Sequence, residues 1–415
     1  MEALADFSRR HGTALIAAAL FAANVLIRLP NLHYPNHPVF DESYYATYAA
    51  NYATRSPSID IHPPLGKMIY SLPLLLSPAA SYNDKTYIDY RKSFGFKNAA
   101  TTTVTQGYQT FPYYPLRVVS ALWGALLAAG IFLFTRALTG RLAPAALAGT
   151  LITLENAIIL ETKLILVNGM LLAFGFWGLY FLLKRRSALA GSLVGLAVSV
   201  KLTAGIFGII AFLAMAMKGV GYRKFLSFVL SACAAFLAVT VLIENLVVPI
   251  AEKEAFFEDK LFSLFRNDPE WQPPASNEFG KKLASLVPDG AVPYVKVIGA
   301  ESLISLAGYT TGQNNSEQFM KSRWFEWPFM VGSFPYLFES GDRANPTLVL
   351  LGNPIVWGLG GAGALLGVKR SFESARRRRR GENAEERGAV ELLSFSYLAY
   401  LALFLLFVRR DAFLY

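Results

Sequence analysis

Apolar residues in this chain fall in long uninterrupted blocks rather than in alternating or heptad patterns. Leu164 to Leu183 runs without a charge for 20 residues, the length a helix needs to cross about 30 Å of hydrocarbon. Similar runs lie near 13–29, 116–138, 143–160, 188–200, 202–217, 225–250, 347–368 and 389–408. The pattern predicts an all-α polytopic membrane protein with about nine transmembrane helices, 188–200 and 202–217 being short ones. Two long polar stretches, 30–115 and 251–346, and several short basic ones separate the runs. The whole chain, 1–415, reads as a single transmembrane domain.

Composition agrees. Of 415 residues, 54% are hydrophobic and 16% charged, against about 25% charged in a soluble domain. Mean hydropathy is +0.37. A soluble enzyme, a disordered chain and a fibrous one are excluded. The net charge of +10 would by itself suggest nucleic acid, but its distribution argues otherwise. Arg9 and Arg10 precede the first run; Arg136 and Arg141, then Lys184 to Arg186, then Lys218, Arg223 and Lys224 follow the second, fourth and sixth. Lys369, Arg370, Arg376 to Arg380 and Arg387 follow the eighth. These segments hold 18 of the 39 basic residues and six of the 29 acidic ones, which leaves 21 and 23 elsewhere. Cytoplasmic loops carry such an excess. The arginine run in 369–388 is thus a cytoplasmic loop, nucleic acid is not a partner, and the two large loops face outward. The run 13–29 lacks a small-residue cleavage site and reads as a retained helix. Cys233 is the only cysteine, so no intrachain disulfide forms.

The chemistry concentrates in 30–115. Asp41 and Glu42 open a segment, 43–54, whose aromatic and small residues recur at helical spacing, as in an interfacial helix. Carboxylates at a helix N-terminus satisfy its dipole, and that is the plain structural account of the pair. Asp60-Ile61-His62-Pro63-Pro64-Leu65-Gly66-Lys67 follows, with prolines suited to a first helical turn. Lys67 and His62 read either as interfacial packing or as a cationic rim for a phosphate group.

The string FDESYYATYAANYATRSPSIDIHPPLGKMI resembles the first outer loop of protein O-mannosyltransferases, which carry an Asp-Glu pair and, some twenty residues on, a DVHPPLAK-like segment. The resemblance continues in order through PLRVVSALWG, LENAIILETKLILVNGMLLAF, GLAVSVKLTAG, SRWFEWPFM and LLGNPIVWGLG, across about 40–410. Two departures stand out: Lys163 where the family usually has arginine, and Asn168 where it has aspartate. No β-trefoil module fits in 251–346, and RRDAFLY stands where the family continues into further helices, so the C-terminal helices are expected to be missing.

The resemblance implies a C-type glycosyltransferase fold and transfer of mannose, or another glycosyl group, from a polyprenyl-phosphate donor to Ser/Thr hydroxyls of secreted or membrane proteins. Inverting transfer needs a base for the hydroxyl and cations for the departing phosphate. Asp41 is the candidate base, with Glu42 assisting it or orienting the sugar or acceptor. Two adjacent carboxylates disfavour joint ionisation, so one is expected to titrate high. Arg117, whose planar fork matches phosphate, is the candidate donor ligand, followed by His62, Lys67, Lys163 and Lys201. Lys201 interrupts apolar sequence, which marks either a functional intramembrane charge or a turn between short helices. Arg323, Trp324 and Trp327 form either a sugar-stacking wall or an interfacial belt.

No cofactor is legible. A carboxylate pair can hold magnesium, but the four histidines show no ligand spacing, and no Gly-rich nucleotide loop is present. Competing expectations are the same fold with a lipid or cell-envelope glycan acceptor, a non-catalytic membrane scaffold, and a transporter. The last would show an internal repeat, and none is visible. The compact outer loops favour a prokaryotic plasma membrane, with the active site facing outside, over the endoplasmic reticulum. The oligomeric state stays open.

Overall fold

The computed structural model describes residues 2–57, 60, 62–76, 108, 111–248, 322–323, 334–337, 348–380, 388–406 and 411–412. Twelve helices are described: α1 (Glu2–Arg28), α2 (Glu42–Ala53), α3 (Leu65–Leu75), α4 (Tyr113–Thr139), α5 (Leu142–Thr153), α6 (Asn156–Glu161), α7 (Asn168–Leu183), α8 (Ser187–Val200), α9 (Gly205–Met217), α10 (Tyr222–Val247), α11 (Pro354–Arg379) and α12 (Ala389–Leu406). Three of them, over His11–Arg28, Tyr113–Thr139 and Tyr222–Val247, are long and apolar enough to cross a membrane. Helices α3, α5, α7, α8 and Leu202–Met217 are shorter apolar helices. Short strand pairs β1 (Ser322–Arg323) with β4 (Asp411–Ala412), and β2 (Phe334–Leu337) with β3 (Leu348–Leu350), are antiparallel.

Each predicted apolar run contains a helix, but not always one. The run 143–160 breaks at Glu155, whose side chain accepts a hydrogen bond from the Ala157 amide and so starts α6. The run 347–368 begins as β3 and turns helical only at Pro354. The interfacial helix expected over 43–54 is α2, and it packs against α3.

Helices α4, α7, α8 and α10 pack in sequence, with α1 and α5 against α4. Between α8 and α10 the backbones almost touch. A Cβ on Gly191 or Gly195 would lie 2.1 Å from the Phe228 carbonyl or 2.3 Å from that of Ala232. Small residues at such crossings let helices associate where no hydrophobic drive exists between them in lipid. Polar side chains add cross-links inside the bundle. Asn24 of α1 donates to Thr153 Oγ1 at 2.8 Å, and Arg28 Nε donates to Thr162 Oγ1 at 2.7 Å. By contrast, Leu226, Leu230, Leu237, Leu242 and Leu246 along α10 are exposed, as a lipid-facing surface requires.

Candidate active site

The segment ahead of α2 is locked from within. Glu42 and Arg117, the latter one turn into α4, are both fully buried and paired at 2.7 Å. Arg117 Nε and Nη2 reach the two carboxylate oxygens at 2.9 and 2.7 Å. Its remaining N–H groups donate to the carbonyls of Leu32, Pro35 and His37. Tyr108 and Tyr113 cover the guanidinium with their rings. Glu42 in turn accepts from the backbone amides of Val39 at 2.9 Å and Ile165 at 2.7 Å.

This geometry gives two of the expected site residues a structural part. All five Arg117 donors are engaged inside the protein, so none is left for a donor phosphate. Glu42 is likewise filled, and it sews the first outer loop to α4 and to the turn before α7 rather than orienting an acceptor.

Asp41 sits differently. It holds the first position of α2 with its backbone carbonyl, which accepts from the Tyr44 and Tyr45 amides, while its side chain makes no capping bond. The carboxylate is therefore not explained by helix capping. Burial pushes it up to about 7; the Lys201 ammonium pulls it down, and Glu161 and Asp60 push it further up. One of the two adjacent carboxylates does titrate high, and the main cause is lost hydration rather than the neighbouring charge. Phe40, immediately before it, holds a left-handed φ of 51°, a conformation that costs energy and tends to survive at functional sites.

Lys201 stands in extended backbone between α8 and the turn that leads to α9, as the turn reading expects. Its ammonium reaches Asn168 Oδ1 at 3.4 Å, and its field acts on Asp41, His62 and Glu161. Asn168 Nδ2 donates to Glu161 at 2.8 Å. The other Glu161 oxygen accepts from the Tyr336 hydroxyl. Tyr336, from the second outer loop, stacks on Phe40 with ring centroids 4.7 Å apart.

The remaining expected residues separate. Lys67 is buried; it donates to Asp60 Oδ2 at 2.9 Å and to the His62 carbonyl at 2.6 Å, closing the turn ahead of α3. Burial, then Lys201, push the His62 imidazole down to about 3, which argues against a part in a cationic rim. Lys163 donates to the Pro30 carbonyl at 2.7 Å, away from Asp41's partners. Arg323 lies in β1, paired with Asp411; its side chain, Trp324 and Trp327 fall outside the described residues.

Sequence reasoning missed Glu161 and Tyr336, and also Glu155, which receives the Asn353 amide at 2.9 Å and thereby fixes the start of α11. The available signal was a charge in or beside an apolar run: Glu155 interrupts 143–160 and Glu161 directly follows it. Among the described residues, no group of three or more His, Cys, Asp or Glu is placed to hold a metal ion.

The dolichyl-phosphate-mannose-protein mannosyltransferase family model matches residues 18–257, more than half of the chain. The chain belongs to this family. It is 32% identical over 211 residues to a protein O-mannosyltransferase 1 of Drosophila pseudoobscura pseudoobscura, covering 49% of this chain and 22% of that protein. Dolichyl-phosphate-mannose–protein mannosyltransferase 5 of Saccharomyces cerevisiae is 26% identical over 207 residues, 47% of this chain and 26% of that one. The aligned stretch thus spans only about a quarter of these relatives. Among solved structures, the S. cerevisiae protein O-mannosyltransferase Pmt1-Pmt2 complex bound to the sugar donor aligns at 21% identity with a TM-score of 0.44. That alignment covers 57% of this chain and 33% of that chain. The family region contains Asp41, Glu42, Arg117, Glu161 and Lys201 together.

Proposed function

We propose that this protein transfers a mannosyl group from a polyprenyl-phosphate donor to Ser/Thr hydroxyls of secreted or membrane proteins, with inversion. The observation that carries the reading is Asp41: a carboxylate at the head of an outer-loop helix, not used in capping, raised to about 7 by burial and acted on by the charge of Lys201. A general base works best with a pKa near the operating pH.

In this reading the acceptor oxygen attacks the anomeric carbon from the face opposite the phosphate. Its proton passes to Asp41, the bond from the anomeric carbon to the phosphate oxygen breaks, and polyprenyl phosphate leaves. Lys201, the cation that shares Asp41's surroundings, stabilises the charge on the departing phosphate. Arg117 and Glu42 hold the loop in place.

Family membership, and the names of relatives that act with dolichyl-phosphate-mannose on protein, support the donor and acceptor. The charge asymmetry supports the non-cytoplasmic side. The proposed location is a prokaryotic plasma membrane, although the relatives above come from a fly and a yeast.

Asp41→Asn tests the reading. Asparagine keeps the shape and cannot take the proton, so transfer should fall about 10²- to 10⁴-fold with folding and donor binding retained. Near-normal turnover in radiolabelled transfer to a Ser/Thr peptide would refute the assignment.

A further inference from the structure

A chain of contacts runs beside Asp41 from Phe40 through Tyr336, Glu161 and Asn168 to Lys201, and one residue joins its two halves. On one side, Tyr336 stacks on Phe40, the residue whose left-handed backbone delivers the chain into Asp41. On the other, Lys201, whose charge favours ionised Asp41, is bound by Asn168. Glu161 binds both arms, taking the Tyr336 hydroxyl on one oxygen and the Asn168 amide on the other. It is itself only 4% exposed. A carboxylate is costly to bury without a full set of partners, and here the partners are the two groups that fix the base and its counter-charge.

We propose that Glu161 is a positioning residue for Asp41, anchoring Tyr336 against the Phe40 ring next to the base and, through Asn168, the Lys201 ammonium. This rests on the reading of Asp41 as the base. It also gives the second outer loop a part in the site, since through Tyr336 the strand Phe334–Leu337 docks on the first loop and completes the surroundings of Asp41.

The charge of Glu161 reaches the base as well as its hydrogen bonds do. The charges that act on Asp41 are those of Lys201, Glu161 and Asp60, and Asp41 acts in turn on Tyr44 of its own helix; Asp60 is paired with Lys67, and both act on His62. Glu161 opposes ionisation of Asp41. Glu161→Gln keeps the size and both hydrogen bonds, because the amide can donate to the tyrosine oxygen and accept from Asn168. It removes only the negative charge.

The experiment is the pH dependence of mannosyl transfer from polyprenyl-phosphate mannose to a Ser/Thr peptide, comparing wild type, Glu161→Gln and Tyr336→Phe in detergent. Glu161→Gln should move the acid limb of kcat/KM to lower pH by about one unit, the scale of one removed charge in a partly buried site. Tyr336→Phe, which withdraws a donor that favours the charged carboxylate, should move it the same way by about half as much. A purely structural Glu161 would change yield and leave the limb in place. If Glu161→Gln is not recovered folded, Tyr336→Phe decides. An active wild type whose folded variants keep its acid limb overturns this inference alone. A wild type without transfer activity overturns the function proposed above, and this inference with it.

Discussion

Replacing Arg117 separates a structural role from a ligand role in one measurement. The guanidinium makes two bonds to Glu42 and three to the carbonyls of Leu32, Pro35 and His37, and both side chains of the ion pair are fully buried. Arg117→Ala deletes these contacts and leaves a buried carboxylate opposed only by the Val39 and Ile165 amides. Breaking a buried pair from one side costs about 3–5 kcal/mol, because the remaining charge is uncompensated. Total stability is about 5–15 kcal/mol, so the loss is a large share of it. In a fluorescence melt of the detergent-solubilised protein, the expected drop is about 10 °C.

Arg117→Lys should fall between, since it keeps the charge and loses the fork. Arg117→Ala combined with Glu42→Gln should recover part of the loss, because the second change removes the stranded charge. A donor-phosphate ligand predicts another pattern: unchanged melting, donor affinity lower by roughly 10- to 100-fold from the loss of a charge-assisted bond, and no coupling to Glu42. Melting of Arg117→Ala within about 2 °C of wild type would refute the structural account.

Two further outcomes follow from the site and the topology. Transfer should fall about tenfold for each pH unit below about 7, since Asp41 must be deprotonated to act as base and its carboxyl is raised to about 7; a rate flat between pH 5 and 8 would remove Asp41 from that role. In a Cys233→Ser background, cysteine at the exposed position Asn36 should react with an impermeant reagent added outside, and cysteine at the exposed position Glu373 only after the membrane is opened; the reverse pattern would invert the topology.

Helices that cross or line a bilayer announce themselves because their backbone must be satisfied internally over a long apolar stretch. That is why every apolar run in the chain contains a helix. The same reasoning is blind to where a run breaks. Glu155 divides 143–160 because its side chain caps a new helix and then binds the start of α11, 198 residues later. The chain of contacts beside Asp41 was illegible for the same reason: Glu161 meets Tyr336 across 175 residues, and no local pattern carries that pairing. Arg117 was legible as important but not as what it is. A planar fork suits phosphate and carboxylate equally, and only the position of Glu42 decides between them.

The division of labour between Asp41 and Glu42 follows from helix geometry. Successive residues of a helix point about 100° apart, so two carboxylates at the head of α2 cannot share one environment. Glu42 turns into the protein and binds Arg117 together with the Val39 amide. Phe40 and Asp41 lie between those two anchored residues, so the ion pair fixes the chain on both sides of the base. Loss of activity on changing Arg117 would therefore not show that Arg117 touches the donor. The arginine acts on Asp41 through Glu42 and the backbone, which is why its stability and activity effects should rise and fall together, whereas Asp41→Asn should lower activity alone.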